Sequence, residues 1–288
     1  MGSYLRPTEL NDALGALGAG PRAILAGGTD FYPARVGRAI DEDILDITAL
    51  AALRGIEDRG DHWRIGALVT WSEVMTAALP PCFDGLKLAA REVGGVQIQN
   101  TGTLAGNLCN ASPAADGVPP LLALDAAVEL ASPGGERCVK LAGFITGNRK
   151  TARRSDELVT ALRIPKPAPG TESTFLKLGA RRYLVISIVM VAATIEPDAR
   201  GQIARARIAV GAASAVAQRV LALESALLGA PIDGRLGTLV CPEHLKQVLA
   251  PIDDVRASAA YRNDAALTLV RRALDALGAA MMAQEHEV

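Results

Sequence analysis

Two segments of this sequence combine closely spaced glycines with hydroxyl, amide and carboxylate side chains. In the first, a short apolar run leads into Ala26-Gly27-Gly28-Thr29-Asp30. Glycine has no Cβ atom, so the backbone N–H groups of such a turn can point together into a concavity that suits a pyrophosphate. A strand–Gly–Gly–helix connection is also common as a plain turn, and Asp30 could equally cap the following helix.

The second segment runs from Gly102 to Asp116 and reads GTLAGNLCNASPAAD. Its two glycines allow close approach of a ligand to the backbone, and its hydroxyl, amide and carboxylate groups donate and accept hydrogen bonds. Such a surface suits a ribityl chain and a diphosphate, which offer many oxygens and no positive charge. A solvated surface loop explains the same composition equally well.

Composition excludes several classes of function. The chain has 288 residues, of which 50% are hydrophobic, and its 30 basic and 31 acidic residues are interspersed. This length favours two domains, and the balanced charge argues against nucleic acid or an anionic membrane as partner. No apolar stretch approaches the roughly 18 residues of a membrane span, and no signal sequence is recognisable, so we expect a cytoplasmic protein.

Metal chemistry is not expected on this chain. Its four cysteines, at positions 82, 109, 138 and 241, have no CxxC spacing, and only three histidines are present. Neither set resembles a zinc or iron–sulfur ligand cluster.

Other common catalytic and nucleotide-binding motifs are either absent from the sequence or stand in the wrong structural context. The stretch from Gly18 to Ala23 matches GxGxxA, but it precedes its strand instead of following it. Walker A, GxSxG and HExxH patterns do not occur. A basic cluster at Arg149, Lys150, Arg153 and Arg154 could bind a partner or phosphates, although a solvated face is the simpler interpretation because Asp156 and Glu157 follow.

The first glycine turn is expected to lie in a small βαβ unit. A buried strand at 23–25 enters the turn, a helix is predicted from Phe31 to Arg38, and a second strand covers 43–47. Farther on, Thr70 and Glu73 have the spacing of a capping box. The helix that this box begins is predicted to reach Ala78, and a second helix covers 83–93. Hairpins are predicted to pair 53–57 with 62–65 and 127–131 with 137–141. A long loop is predicted at 96–120, and a short helix from Pro119 to Leu124.

A proline-rich run from Pro165 to Gly170 marks the best domain boundary, since its prolines cannot join a helix or a central strand. Beyond it the pattern predicts an α+β domain, with strands at 175–180, 189–196 and 204–211 and helices at 222–228, 242–250 and 265–280.

Taken together, AILAGGTD at 23–30 and TGTLAGNLCNASPAADGVPPLLALDA at 101–126 resemble the two FAD-binding loops of the medium subunit of molybdenum hydroxylases. That family includes the flavoprotein parts of xanthine dehydrogenase, carbon monoxide dehydrogenase and 4-hydroxybenzoyl-CoA reductase. The resemblance continues through LRGI at 53–56, RIGALVTWSEV at 64–74, RSDELVTALRIP at 154–165 and FLKLGARR at 175–182. It therefore covers nearly the whole chain.

The resemblance implies an α+β protein with two parts. Residues 1–168 would form a PCMH-type FAD-binding domain of two α/β subdomains, about 1–53 and 54–168, and residues 171–288 an α+β domain like the C-terminal domain of carbon monoxide dehydrogenase flavoprotein. It assigns no catalytic acid or base and places Ile186 near the flavin ring. The residues that it implies for FAD binding are Ala23, Ile24, Leu25, Ala26, Gly27, Gly28, Thr29, Asp30, Gly102, Thr103, Leu104, Ala105, Gly106, Asn107, Asp116, Leu158 and Lys177.

The resemblance also implies partner chains. A large subunit would carry the molybdenum cofactor and a small subunit two [2Fe-2S] clusters, assembled as a dimer of heterotrimers. Electrons would reach FAD from the clusters and leave to NAD, oxygen or another acceptor. Two alternatives stay open: a self-contained FAD-dependent oxidase or reductase, and an assembly subunit without cofactor.

Three positions depart from the family pattern. Gln99 stands where an arginine is frequent, Ala105 replaces a glycine, and Val185 replaces an aspartate. Because alanine needs a negative φ, we expect the second segment either to tolerate Ala105 or to shift slightly.

Overall fold

The computed structural model describes residues 2–37 and 39–285. Within them the chain forms three main sheets and a two-stranded ribbon. The strands are β1 (Tyr4–Leu5), β2 (Ala23–Leu25), β3 (Ile44–Asp46), β4 (Ile56–Asp58), β5 (His62–Gly66), β6 (Ala127–Ser132), β7 (Gly135–Lys140), β8 (Ile145–Gly147), β9 (Lys150–Thr151), β10 (Leu158–Pro165), β11 (Glu172–Leu178), β12 (Val189–Pro197), β13 (Ile203–Gly211) and β14 (Gln218–Arg219).

Helices connect and cover these sheets. The α-helices are α1 (Leu10–Ala19), α2 (Trp71–Thr76), α3 (Asp84–Glu92), α4 (Val96–Thr101), α5 (Leu104–Asn110), α6 (Val118–Ala123), α7 (Leu141–Phe144), α8 (Leu221–Ala226), α9 (Pro242–Lys246) and α10 (Ala259–Glu285). Short 3₁₀ helices cover Pro33–Arg35, Ala51–Leu53, Pro81–Phe83 and Leu236–Leu239. The α+β class predicted from the sequence is confirmed.

The first sheet is parallel, in the order β1-β3-β2. The predicted strand at 23–25 is confirmed, but the helix predicted from Phe31 to Arg38 is wrong. Only the 3₁₀ turn Pro33–Arg35 forms, and Arg38 lies outside the described residues. Val36 is 83% exposed, so no apolar face is buried to stabilise a longer helix, and Gly37 turns to a φ of 79°.

The second sheet is antiparallel, in the order β4-β5-β10-β6-β7. Both predicted hairpins are confirmed, since Ile56 lies opposite Ile65 and Val128 opposite Val139. The capping box is also confirmed: Thr70 accepts from the backbone N–H of Glu73, and the Glu73 carboxylate accepts from that of Thr70. The central strand β10 was not among the predicted elements. It ends at Pro165, which lies opposite His62, so the expectation that the prolines of 165–170 join no central strand is wrong for the first of them.

The long loop predicted at 96–120 is wrong, because α4, α5 and the start of α6 lie there. The Thr103 hydroxyl accepts from the backbone N–H of Gly106 at 3.0 Å and so caps α5, which ends where Ala111 turns to a φ of 47°. Gly, Asn, Ser and Thr therefore mark the ends of short helices here rather than one loop. The predicted short helix beginning at the two prolines is confirmed as α6.

The third sheet is antiparallel, in the order β11-β12-β13-β14, and the long helix α10 packs against it. The strands and helices predicted for this half are present with shifted bounds. Helix α3 packs on β11, and α6 packs on β12 and β13. A small apolar cluster that includes Ala89, Phe175 and Met190 fills the junction, so the helices next to the second glycine segment rest directly on the C-terminal sheet.

Candidate functional site

The first glycine segment follows the carboxyl end of β2, which is where open α/β sheets bind ligands. Gly28 has a φ of 72°, which favours glycine. A Cβ atom added at Gly27 would lie only 1.9 Å from the carbonyl oxygen of Thr101. The two glycine segments therefore touch each other backbone to backbone, and glycine at position 27 permits the contact.

Consecutive backbone donors of the first segment are unpaired. Within residues 2–37 and 39–285, the N–H groups from Gly27 to Phe31 donate to no protein acceptor. Asp30 is exposed, the other four residues are partly buried, and all five line a cavity. Unpaired backbone donors beside one cavity are suited to binding an anion, which is the role that the sequence predicted for this turn.

Backbone bonds hold the second segment beside α2. The N–H of Trp71 donates to the Gly102 carbonyl at 3.2 Å, and the N–H of Leu104 donates to the Val69 carbonyl at 3.0 Å. Ala105 is helical and buried and has no positive φ, so replacing glycine here causes no backbone strain. The expectation of a tolerated alanine is met.

A cavity of about 620 Å³ lies between the two segments. This volume is within the roughly 300–1,000 Å³ that is usual for cofactor sites. Its charged lining consists of Asp30 and three arginines, Arg35, Arg149 and Arg153, so positive charge is in excess. Its apolar lining includes Ile24, Val93 and Ile98. Free backbone donors, an excess of positive charge and aliphatic walls together fit FAD, which has a diphosphate, a polyhydroxyl chain and flat ring systems.

Most of the residues that the sequence indicated for cofactor binding meet at this cavity. Those that line it are Ile24, Ala26, Gly27, Gly28, Thr29, Asp30, Gly102, Thr103, Ala105, Gly106, Asn107 and Leu158. Ala23, Leu25 and Leu104 lie behind it, in β2 and in the core-facing side of α5. Asp116 and Lys177 are also outside the lining.

Asp116 and Lys177 form a buried ion pair that joins the two halves of the chain. Lys177 Nζ donates to an Asp116 carboxylate oxygen at 2.8 Å and to the Glu92 carbonyl at 3.0 Å. Ser187 Oγ donates to the other oxygen of Asp116 at 2.8 Å. Burial raises the pKa of Asp116, and the contacts with Lys177 and Ser187 counteract part of that rise. Glu92 directly precedes Val93, which lines the cavity, so the ion pair holds the backbone next to the cavity wall.

Several cavity residues were not indicated by sequence reasoning as cofactor-binding positions. They come from many separate elements: Phe31, Ala34, Arg35, Ile47, Ala67, Trp71, Val93, Ile98, Cys109, Asn110, Arg149, Thr151, Arg153 and Val159. Two signals in the sequence pointed to some of them. Cys109 and Asn110 lie in the second glycine segment, whose amide groups were expected to bind a ligand, and Arg149 and Arg153 belong to the basic cluster. Trp71 and Ile47 carry no signal, because only the fold brings them to the segments.

The other two departures from the family pattern, Gln99 and Val185, lie outside the cavity lining. Gln99 Nε2 donates to the backbone carbonyl of Val93 at 3.1 Å and holds the turn between α3 and α4. Val185 packs against Gly179, where an added Cβ would lie 2.4 Å from Val185 Cγ1. Ile186 is 55% exposed and does not line the cavity.

Metal-binding clusters and membrane-spanning helices are both absent from the part of the chain that the structure describes. No group of three or more His, Cys, Asp or Glu side chains has the arrangement of a metal site. No helix there has the length and apolar character needed to cross a membrane.

Two family models match the chain. The model described as FAD binding domain in molybdopterin dehydrogenase matches residues 1–167. The model described as CO dehydrogenase flavoprotein C-terminal domain matches residues 174–277.

Individual proteins match over nearly the full length. The xanthine dehydrogenase FAD-binding subunit of Escherichia coli O157:H7 is 33% identical over 279 residues, covering 94% of each chain. The carbon monoxide dehydrogenase medium chain of Hydrogenophaga pseudoflava is 27% identical and covers 95% of this chain and 96% of its own length. Among solved structures, quinoline 2-oxidoreductase from Pseudomonas putida 86 superposes with a TM-score of 0.86 at 26% identity, covering 96% of this chain and 97% of its own.

Proposed function

Since this chain belongs to the molybdopterin dehydrogenase family of oxidoreductases, as an FAD-binding medium subunit, we propose that it carries electrons through FAD from iron–sulfur clusters on a partner to an external acceptor. The observation that carries this proposal is the cavity between the two glycine segments, with its row of unpaired backbone donors.

Different residues of the cavity would bind different parts of the cofactor. The N–H groups from Gly27 to Phe31 would bind the diphosphate, and the side chains of Thr29, Thr103 and Asn107 would bind hydroxyl groups. Aliphatic side chains would pack against the rings. All the residues that the sequence indicated for FAD binding are part of this proposal, with Asp116 and Lys177 as supports.

The chain's own role is binding and orientation. Bound FAD supplies a carrier that exchanges electrons singly or in pairs. Among the described residues, the cavity lining has one carboxylate, Asp30, which is paired with Arg149, and it has no histidine. The described lining therefore offers no unpaired carboxylate or imidazole for hydroxylation, which supports placing that step on another subunit.

We propose the partners accordingly. A large subunit would hold the molybdenum cofactor and hydroxylate substrate, and a small subunit would hold two [2Fe-2S] clusters, in a dimer of heterotrimers with NAD, oxygen or another compound as acceptor. The relatives named as medium chains or FAD-binding subunits support an assembly of several chains.

The proposal extends to domain division and location. We assign residues 1–168 to the FAD-binding domain, with subdomains of about 1–53 and 54–168, and residues 171–288 to the C-terminal domain. A cytoplasmic location is supported by the four cysteines, all of which are free thiols.

The test uses the full chain, purified alone and together with its co-expressed partner subunits. The isolated chain is expected to be yellow, to absorb at about 450 nm and to take up added FAD stoichiometrically, yet to hydroxylate no substrate until the partners are added. Turnover of a small substrate by the chain alone would favour a self-contained oxidase or reductase. Colourless protein that takes up no FAD would favour the assembly subunit without cofactor.

A further inference from the structure

The turn between β8 and β9 places Arg149 at the rim of the cavity. Arg149 has a φ of 58°, a left-handed conformation that is unfavourable for a non-glycine residue. Its N–H donates to the carbonyl of Ala111 at 2.9 Å, and Ala111 is itself left-handed, with a φ of 47°. Two unfavourable backbone conformations are thus joined by one hydrogen bond beside the site.

The Arg149 side chain connects the two glycine segments. Its Nη1 lies 3.3 Å from a carboxylate oxygen of Asp30, in the first segment, and also donates to the side-chain oxygen of Asn110, at the end of α5. Both partners line the cavity. One nitrogen therefore makes both contacts and fixes the plane of the guanidinium.

The remaining donors of this guanidinium are free. Among the residues that the structure describes, Nε and Nη2 of Arg149 have no hydrogen-bond acceptor. The other two cavity arginines already have partners: Arg35 pairs with Glu42, and Arg153 donates to the backbone carbonyls of Arg154 and Glu157. An oriented guanidinium with an unpaired edge is suited to bind two oxygens of a phosphate.

We propose that Arg149 binds the diphosphate of FAD through Nε and Nη2, oriented by Asp30 and Asn110, and thereby slows release of the cofactor. This inference rests on the proposed function, because it requires FAD in the cavity. The guanidinium complements the unpaired N–H groups from Gly27 to Phe31, so the diphosphate would receive backbone donors from the first segment and a full positive charge from the β8–β9 turn.

The test compares Arg149→Gln with Arg154→Gln in the full chain. Arg154 belongs to the same basic cluster but is exposed and outside the cavity lining, so its replacement controls for loss of charge. Because Arg149→Gln loses charge-assisted hydrogen bonds, it should release FAD about 10- to 100-fold faster than the wild type. Arg154→Gln should release FAD at the wild-type rate. Flavin fluorescence measures the release. ADP carries a diphosphate and no flavin. It should compete with FAD for apo Arg149→Gln more weakly than for the wild-type apo-protein, by a similar factor.

Arg149→Gly separates the phosphate contact from folding, because glycine accepts the left-handed conformation without strain. Its apo form should unfold at or above the wild-type temperature and still release FAD quickly. Release from Arg149→Gln at the Arg154→Gln rate would overturn the inference, as would unchanged competition by ADP. Failure of the wild-type chain to bind FAD would instead overturn the proposed function.

Discussion

Replacing Gly27 by alanine tests whether the two glycine segments must touch for FAD to bind. A Cβ atom at this position would lie 1.9 Å from the carbonyl oxygen of Thr101 and 2.9 Å from Cα of Gly102. These are backbone atoms, so no side-chain rotation can relieve the overlap. Gly27 has no positive φ, and the substitution therefore changes the space between the segments without demanding an unfavourable backbone conformation.

The expected magnitude follows from the overlap. Forcing an extra carbon into a close-packed contact typically costs about 1–3 kcal/mol. The protein can avoid this cost by moving the segments apart, in which case the free energy of FAD binding falls instead. If the full cost appears in binding, the dissociation constant rises by about 5- to 150-fold. Titration of apo-protein with FAD by flavin fluorescence measures the binding part, and thermal unfolding without FAD measures the rest.

Gly20→Ala is the matched control. Gly20 has an extended backbone with a φ of 164°, and an added Cβ there would have no other atom within 4 Å. This variant should bind FAD and unfold like the wild type. If Gly27→Ala behaved in the same way as Gly20→Ala in both assays, contact between the segments would be irrelevant to the site and the reasoning would fail.

Three further predictions follow from contacts around the site. The Cys109 thiol is exposed at the cavity, where desolvation by the surrounding protein raises its pKa to about 11. Bound FAD should block its labelling by a maleimide while Cys138, exposed outside the cavity lining, stays reactive, as read by mass spectrometry; equal labelling of Cys109 with and without FAD would contradict its placement. Lys177→Met leaves buried Asp116 without its cation and should lower the free energy of unfolding, measured with urea, by about 3–5 kcal/mol near neutral pH. The pKa of Asp116 is raised in the fold and rises further without Lys177, so the loss of stability should grow from pH 5 to pH 8. A loss that does not depend on pH would contradict this assignment. Thr70→Ala removes the capping box of α2 and should cost about 1 kcal/mol in the same assay, whereas no loss would show that the cap contributes nothing.

Local signals in the sequence were sufficient for elements whose ends are set by nearby residues. Strand β2 is bounded by the Gly-Gly turn, and helix α2 by the reciprocal bonds of Thr70 and Glu73. Both hairpins follow from a turn flanked by apolar alternation. The resemblance to the medium subunits of molybdenum hydroxylases, also drawn from the sequence, is confirmed by the family models.

Features that depend on distant contacts could not be predicted in this way. Strand β10 is the centre of the second sheet, but the proline-rich segment marks only the end of its mostly buried run LVTALRIP. The strand is defined by pairing with β5 and β6. The region from 96 to 120 was misinterpreted because the same polar residues cap short helices and populate loops. The contacts of Arg149 with Asp30 and Asn110 span 119 and 39 positions, so only the folded chain reveals them.

The C-terminal half supports the cofactor cavity from behind, without contributing to its described lining, which ends at Val159. Asp125 follows α6 with a φ of 52° and accepts hydrogen bonds from Arg207 at 2.6 Å and from Arg219 at 2.8 Å. Burial alone would raise the pKa of Asp125, but these bonds outweigh burial and lower it, so the carboxylate stays charged and paired. Together with the pair of Asp116 and Lys177, this contact fixes the chain that follows α5 to β11 and β13. Close-packed elements transmit displacements instead of absorbing them. Substitutions in β11 and β13 should therefore change FAD affinity although the residues of these strands do not line the described cavity.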